Sequence, residues 1–303
     1  MFSDLTILVI HYRTPQLLSS CLEKLTAFAV GARVVVLDSS PADEIPTVDT
    51  ELVRVPNYSF AHTVNCGLKL AQTPYTAHLN ADVFISAETF PALLRAITRP
   101  NVGMVGPRAR TQAGRFQDQG LPYRLHYARL DHARPNHPRP NHDRSGGTRR
   151  SVPVPWLSGC LQLVRAEAVA AVGGLDASLR FYNEDMEWCY RLRRAAWRCE
   201  LVATDVLHLG GSSTPRDPRF LVEGYRGGYK LSQRYHGRNY QALHRGAVKL
   251  ESAWHARFAS TPERREAARQ IQALFASGQF DESPFGETLT NTNPAFSASV
   301  AAR

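Results

Sequence analysis

The chain has 303 residues, of which 43% are hydrophobic, 21% charged and 9% aromatic, proportions that exclude collagen, a coiled coil and disorder throughout. The formal charge of +9 is unevenly spread: residues 1–107 carry 7 basic and 9 acidic residues and 156–211 carry 6 and 7, whereas 108–155 carry 10 and 3 and 212–303 carry 13 and 8. The positive charge therefore belongs to one insert and one tail beside a slightly acidic remainder, which disfavours a uniformly basic nucleic-acid face.

Five scattered cysteines (Cys21, Cys66, Cys160, Cys189, Cys199) form no C-x-x-C pair, so they read as reduced fillers. No apolar run approaches the roughly 18 to 20 residues of a membrane span. The short apolar stretch after Met1 lacks a preceding basic region, and a cytosolic protein is expected.

In chain order, Leu5 to Ile10 reads as a buried strand, with Thr14 and Pro15 as N-cap and first position of the helix that follows. Val34 to Leu37 is a second strand ending in Asp38, Leu52 to Val55 a third, Phe60 to Ala71 a helix, and Tyr75 to Leu79 a fourth strand ending in Asn80. This alternation predicts a doubly wound, parallel α/β sheet. From Arg108 to Pro155 periodicity disappears in favour of Arg, His, Pro and Gly, which predicts a long mobile loop. Trp156 to Val164 reads as a strand, Ala166 to Val172 as a helix, and Asn183 to Glu187 as the acidic opening of a helix through Ala195. Beyond Pro215 three helices are expected (Phe220 to Tyr235, Tyr240 to Phe258, Thr261 to Phe275), followed by a frayed end. The expected division is an α/β domain over 1–214, containing the basic insert 108–155, and a C-terminal helical extension over 215–303.

There is no G-x-G-x-x-G after the first strand, no P-loop and no G-x-S-x-G elbow, which removes the usual dehydrogenases, P-loop enzymes and α/β-hydrolases. What remains is acids at the carboxyl ends of strands, where open α/β sheets bind ligands. Asp38 ends strand two, Asp82 follows strand four, and Glu184, Asp185 and Glu187 stand at a helix mouth whose dipole favours the ionised form. Taken singly, Asp38 is also explained by turn chemistry, Asp82 by a loop cap and the acidic trio by ordinary helix-start preference. Arg191, Arg193 and Arg194 read as a solvated helix face.

Seven ordered segments carry a resemblance: LVIHYRTPQLLSSCLEKL, VVVLDSSPAD, Asn57 to Gly67 leading into Leu79-Asn-Ala-Asp-Val83, Trp156-Leu-Ser-Gly-Cys160, Val172-Gly-Gly-Leu-Asp176, Phe181 through Arg191, and His208-Leu-Gly-Gly-Ser212. Over about residues 5–236 the chain resembles the family 2 glycosyltransferases, particularly their bacterial rhamnosyltransferase-like branch. The resemblance implies a GT-A fold, a Rossmann-like and mostly parallel sheet flanked by helices. It also implies an inverting, metal-dependent sugar transfer from a dTDP- or UDP-linked donor, dTDP-rhamnose among them, to a glycan or lipid-linked hydroxyl.

By this resemblance Asn80-Ala-Asp82 matches the D-x-D element, with Asp82 the main contact to Mn²⁺ or Mg²⁺ and His208 a further ligand; a hydrogen-bonded structural histidine is the plainer reading of His208. Asp38 matches the acid that accepts from the pyrimidine N3, with His11, Tyr12 and Arg13 flanking base and ribose and Asn65 on the donor side. Asp185 matches the general base, with Glu184 beside it. Trp156, Ser158 and Gly159 match the segment between donor and acceptor, where Trp156 either stacks on a sugar or packs in the core. For the tail aromatics Phe220, Tyr225, Tyr229 and Tyr235, core packing against the catalytic domain is the default reading, with peripheral membrane contact at the inner face of the plasma membrane or a homodimer face as open alternatives. A nucleotide-sugar binding protein without turnover is the alternative that Asn80 suggests. Nucleic acid is not an expected partner.

Overall fold

The computed structural model describes residues 2–117, 151–211 and 217–286. The expected mobile loop therefore lies mostly outside the described residues, but both of its edges are sheet: a strand runs through Arg110, Arg110 bridges Phe116, and Ser151–Pro153 form another strand. The aperiodic segment is thus shorter than its composition suggests.

The first layers follow the expected alternation. Strand β1 (Leu5–His11) leads to α1 (Pro15–Phe28), then β2 (Arg33–Asp38), β3 (Glu51–Arg54), α2 (Phe60–Leu70) and β4 (Tyr75–Asn80). Along β1, Leu5, Ile7 and Val9 pack on one side with Leu18, Cys21 and Leu25 of α1, while Leu8 turns to the other side with Val35 and Leu37. A strand covered on both faces needs a continuous apolar run, which is why LTILVI reads without polar alternation. Each such leucine withdrawn from water contributes about 1.5–3 kcal/mol. Helix α2 lies so close that a Cβ on Gly67 would stand 2.5 Å from Leu37 and 2.6 Å from Leu8. Its start is capped by Ser59, whose hydroxyl accepts from the His62 amide at 3.0 Å. Pro15 opens α1 as expected, but Thr14 makes no side-chain cap.

The chain continues through β5 (Val83–Phe84), α3 (Thr89–Ile97), β6 (Val102–Arg110), β7 (Ser151–Pro153), β8 (Leu161–Arg165), α4 (Ala166–Val172), α5 (Glu184–Arg194) and β9 (Arg198–His208). The strand expected from Trp156 begins only at Leu161. The sheet order is β3-β2-β1-β4-β8-β6-β9-β5, with β7 also on β9. β3, β2, β1 and β4 are mutually parallel, and β6 is parallel to β9. The pairs β4/β8, β6/β8, β5/β9 and β7/β9 are antiparallel, so the parallel character expected of the whole sheet holds in its first half and gives way to a mixed second half. Met104, Val164, Trp188, Leu192 and Leu201 form the core beneath α5. All five cysteines are unpaired thiols, and four of them are buried.

Three helices follow: α6 (Pro218–Tyr235), α7 (Arg238–Phe258) and α8 (Pro262–Ser277). They share a small core of Val222, Tyr229, Val248, Ile271 and Phe275, closed by Phe280 beyond α8. The extension is also bolted to the loop that precedes α5. Arg226 is fully buried and donates to both oxygens of Glu223 (2.6 and 2.7 Å), to the Ser178 carbonyl and to the Phe280 carbonyl. Glu223 in turn accepts from the Arg180 amide at 3.0 Å, and Arg234 reaches Asp176 at 2.6 Å. No helix among the described residues is long and apolar enough to cross a membrane.

Candidate active site

A cleft of about 460 Å³ opens at the carboxyl ends of β1 and β4. The parallel registers pair His11 with Asp38 and Ile10 with Asn80, which brings the last residues of β1, β2 and β4 to one edge. The antiparallel pairing of Val83 with His208 then sets Asp82 beside the end of β9. Here the Asp82 carboxylate lies 3.4 Å from His208 Nε2 and accepts the Gly210 amide at 3.1 Å. His208 Nδ1 meets Gln117 Oε1 at 2.8 Å. Burial disfavours the imidazolium, but hydrogen bonds to Asp82 and Cys160 outweigh it and lift His208 to about 10.

Asn80 Oδ1 is buried and has no hydrogen-bond partner among the described residues. With the Asp82 carboxylate and His208 Nε2, once that imidazolium gives up its proton, it makes an O, O, N donor set of the kind divalent cations accept. No group of three or more His, Cys, Asp or Glu side chains gathers as a cage among the described residues, so this set suits a cation that takes its remaining ligands from substrate phosphates and water.

His11 lines the cleft, with its tautomer fixed by its neighbours. Nε2 accepts the Thr14 amide at 3.1 Å, which leaves the proton on Nδ1 to donate to Asp38 at 2.8 Å. Burial, with the Arg54 charge acting in the same direction, keeps this histidine below its usual value, hence neutral. Tyr12, Asn80, Asp82, Ser158, Gly159, Glu184, Asp185 and His208 also line the cleft.

Four of the expected residues do not. Asp38 is buried behind His11, where its carboxylate accepts from His11, from Ser40 at 2.6 and 3.1 Å, and from Arg54. Its lone pairs are spent inside the fold. Arg13 turns away to Glu44 at 3.0 Å. Asn65 exchanges two 2.8 Å hydrogen bonds with the backbone of Leu175, a staple that ties its amide to the loop after α4 and away from the cleft lining. Trp156 packs against the core under α5 and stands next to Asp185.

In the loop before α5, Tyr182 and Asn183 both adopt left-handed backbone, with φ of 68°. Non-glycine residues held this way cost about 1–3 kcal/mol each and persist only where neighbours over-determine them. The neighbour is α6: Asn183 Nδ2 donates to the Gly224 carbonyl at 2.9 Å, and a Cβ on Gly227 would sit 2.9 Å from that nitrogen. The turn delivers Glu184 and Asp185 into the cleft at the start of α5. Asp185 is fixed by the amides of Gly159 (2.8 Å) and Met186 (2.7 Å). Burial raises its carboxyl above the ordinary range, and those amides oppose the rise. Glu184 is pushed up further, by burial and by the charges of Asp185 and Glu223, and its Oε2 has no hydrogen-bond partner among the described residues.

The third acid has a different task. Glu187 is buried, bidentate with Arg191 (2.8 and 2.9 Å), and accepts from Tyr235 at 2.5 Å. Arg191 is therefore not part of a solvated face, as its spacing suggested, but a buried clamp that also holds the Gly174 carbonyl at 2.6 Å. Arg193 and Arg194 are exposed as expected. The sequence reading missed Arg180, Phe181 and Tyr182 as cleft residues, although they adjoin the acidic motif, and it missed Asp217, Arg219, Phe220 and Phe285 from the extension. No local signal marks the last four, because their place depends on how the extension folds back.

Comparison with known proteins agrees with this geometry. Two Mycobacterium tuberculosis proteins, strains CDC 1551 and H37Rv, named N-acetylglucosaminyl-diphospho-decaprenol L-rhamnosyltransferase, are each 45% identical over 67 residues, 22% of this chain and 22% of theirs. Among solved structures, the mannosyltransferase PcManGT from Pyrobaculum calidifontis, in complex with GDP-Man and Mn²⁺, matches with a TM-score of 0.53 at 14% identity, over 98% of this chain and 78% of that one. GalNAc-T7 with UDP, GalNAc and Mn²⁺ matches at 0.56 and 10% identity, over 92% of this chain and 58% of its own. S. aureus TarS matches at 0.55 and 11% identity, over 91% and 49%. At such identities the structural likeness is one of fold, and the fold is that of GT-A glycosyltransferases. The sequence model of Glycosyltransferase like family 2 matches residues 3–223, well over half of the chain and both ends of the cleft, and the protein belongs to that family of sugar-transferring enzymes.

Proposed function

We propose that the protein transfers a sugar, with inversion, from a thymidine or uridine diphosphate donor to a hydroxyl of a glycan or lipid-linked acceptor. The observation that carries this reading is the placement of a half-buried, amide-held carboxylate, Asp185, in the same cleft as the Asp82 and His208 pair. Asp82 and His208, with Asn80 lining the same cleft, are the residues that would hold Mn²⁺ or Mg²⁺. Such a cation, when bound, neutralises the diphosphate leaving group. His11 and Tyr12 line the cleft where base and ribose would lie, and Asp38 acts through His11 by fixing its tautomer.

Asp185 takes the proton of the acceptor hydroxyl as that oxygen bonds to the anomeric carbon and the bond from this carbon to the diphosphate oxygen breaks. Its raised pKa suits a base that must accept a proton near neutrality. The short match to the mycobacterial enzymes supports rhamnose as the sugar and an acceptor carried on a lipid diphosphate, as in envelope polysaccharide assembly. Such an acceptor would bring a cytoplasmic protein to the inner face of the membrane without crossing it.

The test is product formation from dTDP-rhamnose and UDP-sugars by wild type and Asp185→Asn. General-base loss is expected to lower the transfer rate about 10²–10⁴-fold. A transfer activity that survives the substitution unaltered contradicts the assignment, and binding of nucleotide without any turnover favours the binding-protein alternative.

A further inference from the structure

The cleft does not end at the acidic turn. Phe181, from the loop before α5, meets Phe220 of α6 and Phe285 of the segment beyond α8, with ring centroids 4.9, 5.0 and 4.8 Å apart. None of the three belongs to a hydrophobic core cluster. Each ring is only half-buried, and all three line the cleft. The Arg219 guanidinium sits 5.0 Å over the Phe285 ring while its nitrogens hold Asp217 at 2.6 and 2.8 Å, presenting a planar ion pair at the same wall. Opposite, the buried Glu184 carboxyl keeps one oxygen without a partner among the described residues.

Half-exposed aromatic rings with a few fixed polar groups form a ligand wall, because the rings supply apolar area and the polar groups fix orientation. A pyranose matches both demands: its C–H face lies flat on an aromatic ring, and its equatorial hydroxyls reach planar carboxylate and guanidinium groups at the rim. We infer that Phe181, Phe220 and Phe285, with the Asp217 and Arg219 pair and Glu184, form a saccharide subsite for the acceptor, and that the C-terminal extension supplies most of it. This inference rests on the glycosyltransferase reading of the cleft. It assigns the extension a substrate-binding role that the acidic turn alone cannot fill.

The experiment is saturation-transfer NMR on the full chain with UDP, diamagnetic Mg²⁺ and a panel of methyl pyranosides (glucoside, galactoside, mannoside, rhamnoside and N-acetylglucosaminide), comparing wild type, Phe285→Ala, Phe285→Trp and Arg219→Ala. At least one pyranoside is expected to show saturation on wild type. That signal should fall five-fold or more in Phe285→Ala, fall less in Arg219→Ala and persist in Phe285→Trp, while the UDP signal stays the same in all four. Phe285 lies outside every core cluster, so the variants are expected to fold, which a melting curve checks; if Phe285→Ala does not fold, Arg219→Ala and Phe285→Trp decide the question. UDP signal without any pyranoside signal, or a pyranoside signal indifferent to Phe285 and Arg219, overturns the subsite and leaves the donor reading intact. Absence of both signals overturns the two together.

Discussion

At the end of the cleft that holds Asp82, the functional groups terminate strands or directly follow them, and the registers of β1 with β2, β1 with β4 and β5 with β9 bring them together. Elsewhere in the cleft, Glu184 and Asp185 leave a strained turn that stays in place because α6 grips it from a position about forty residues later in the chain. The first end is a by-product of building a buried sheet. The second is made by tertiary contacts, and its geometry is only as good as the clamp between the 176–187 loop and the extension. The comparison implies that changes to α6 should reach chemistry and acceptor binding while leaving nucleotide binding untouched.

The largest effect should come from Arg226. Replacing it with Met strands Glu223 without its cation in the interior, and breaking a buried pair from one side costs about 3–5 kcal/mol. A denaturant titration should show that loss, with release of the extension from the loop. Next, Asn65→Ala removes two hydrogen bonds from the Leu175 backbone and leaves those groups unsatisfied, at about 1–3 kcal/mol. Melting temperature should fall while nucleotide affinity holds, and lowered nucleotide affinity in a folded variant would return Asn65 to the donor site.

Gly227→Ala sharpens the contrast further. Alanine is a better helix former by about 1 kcal/mol, yet its Cβ would press on Asn183 Nδ2. Stability should move little and the transfer rate should fall, which steady-state kinetics beside a thermal melt will separate. The smallest effect concerns pH. The proposed base, Asp185, must be ionised to accept a proton, and burial raises its pKa, so the acid limb of kcat/KM should lie above the ordinary carboxylate range, with activity lost as pH falls through it. An acid limb at or below the usual aspartate value contradicts the desolvated base.

How far the sequence disclosed all this follows the same division. Apolar runs such as LTILVI and RVVVLD announce strands; His11, which follows the first, lines the cleft, as do Asn80 and Asp82 at and after the end of β4, whereas Asp38, which ends the second, lies behind His11. The acidic helix start at Glu184 was legible for a similar reason. Asp38 and Asn65 have residue types that suit both ligand binding and internal hydrogen bonding, and only the fold shows Arg54 and Leu175 as their partners. Arg191 reads as surface in any helical projection until Glu187 one turn earlier is found buried. Phe220 and Phe285 carry no local mark, because a phenylalanine in a helical tail reads as core.

The most direct test of the division is a thermal-shift titration of UDP and dTDP, with and without Mn²⁺, on wild type, Asp82→Ala and Asp185→Asn. A nucleotide at about a hundred times its dissociation constant adds about 2.7 kcal/mol, a shift of several degrees. The account predicts a Mn²⁺-dependent shift for wild type, the same shift for Asp185→Asn, and none for Asp82→Ala. A shift that survives Asp82→Ala, or one that disappears with Asp185→Asn, would contradict it.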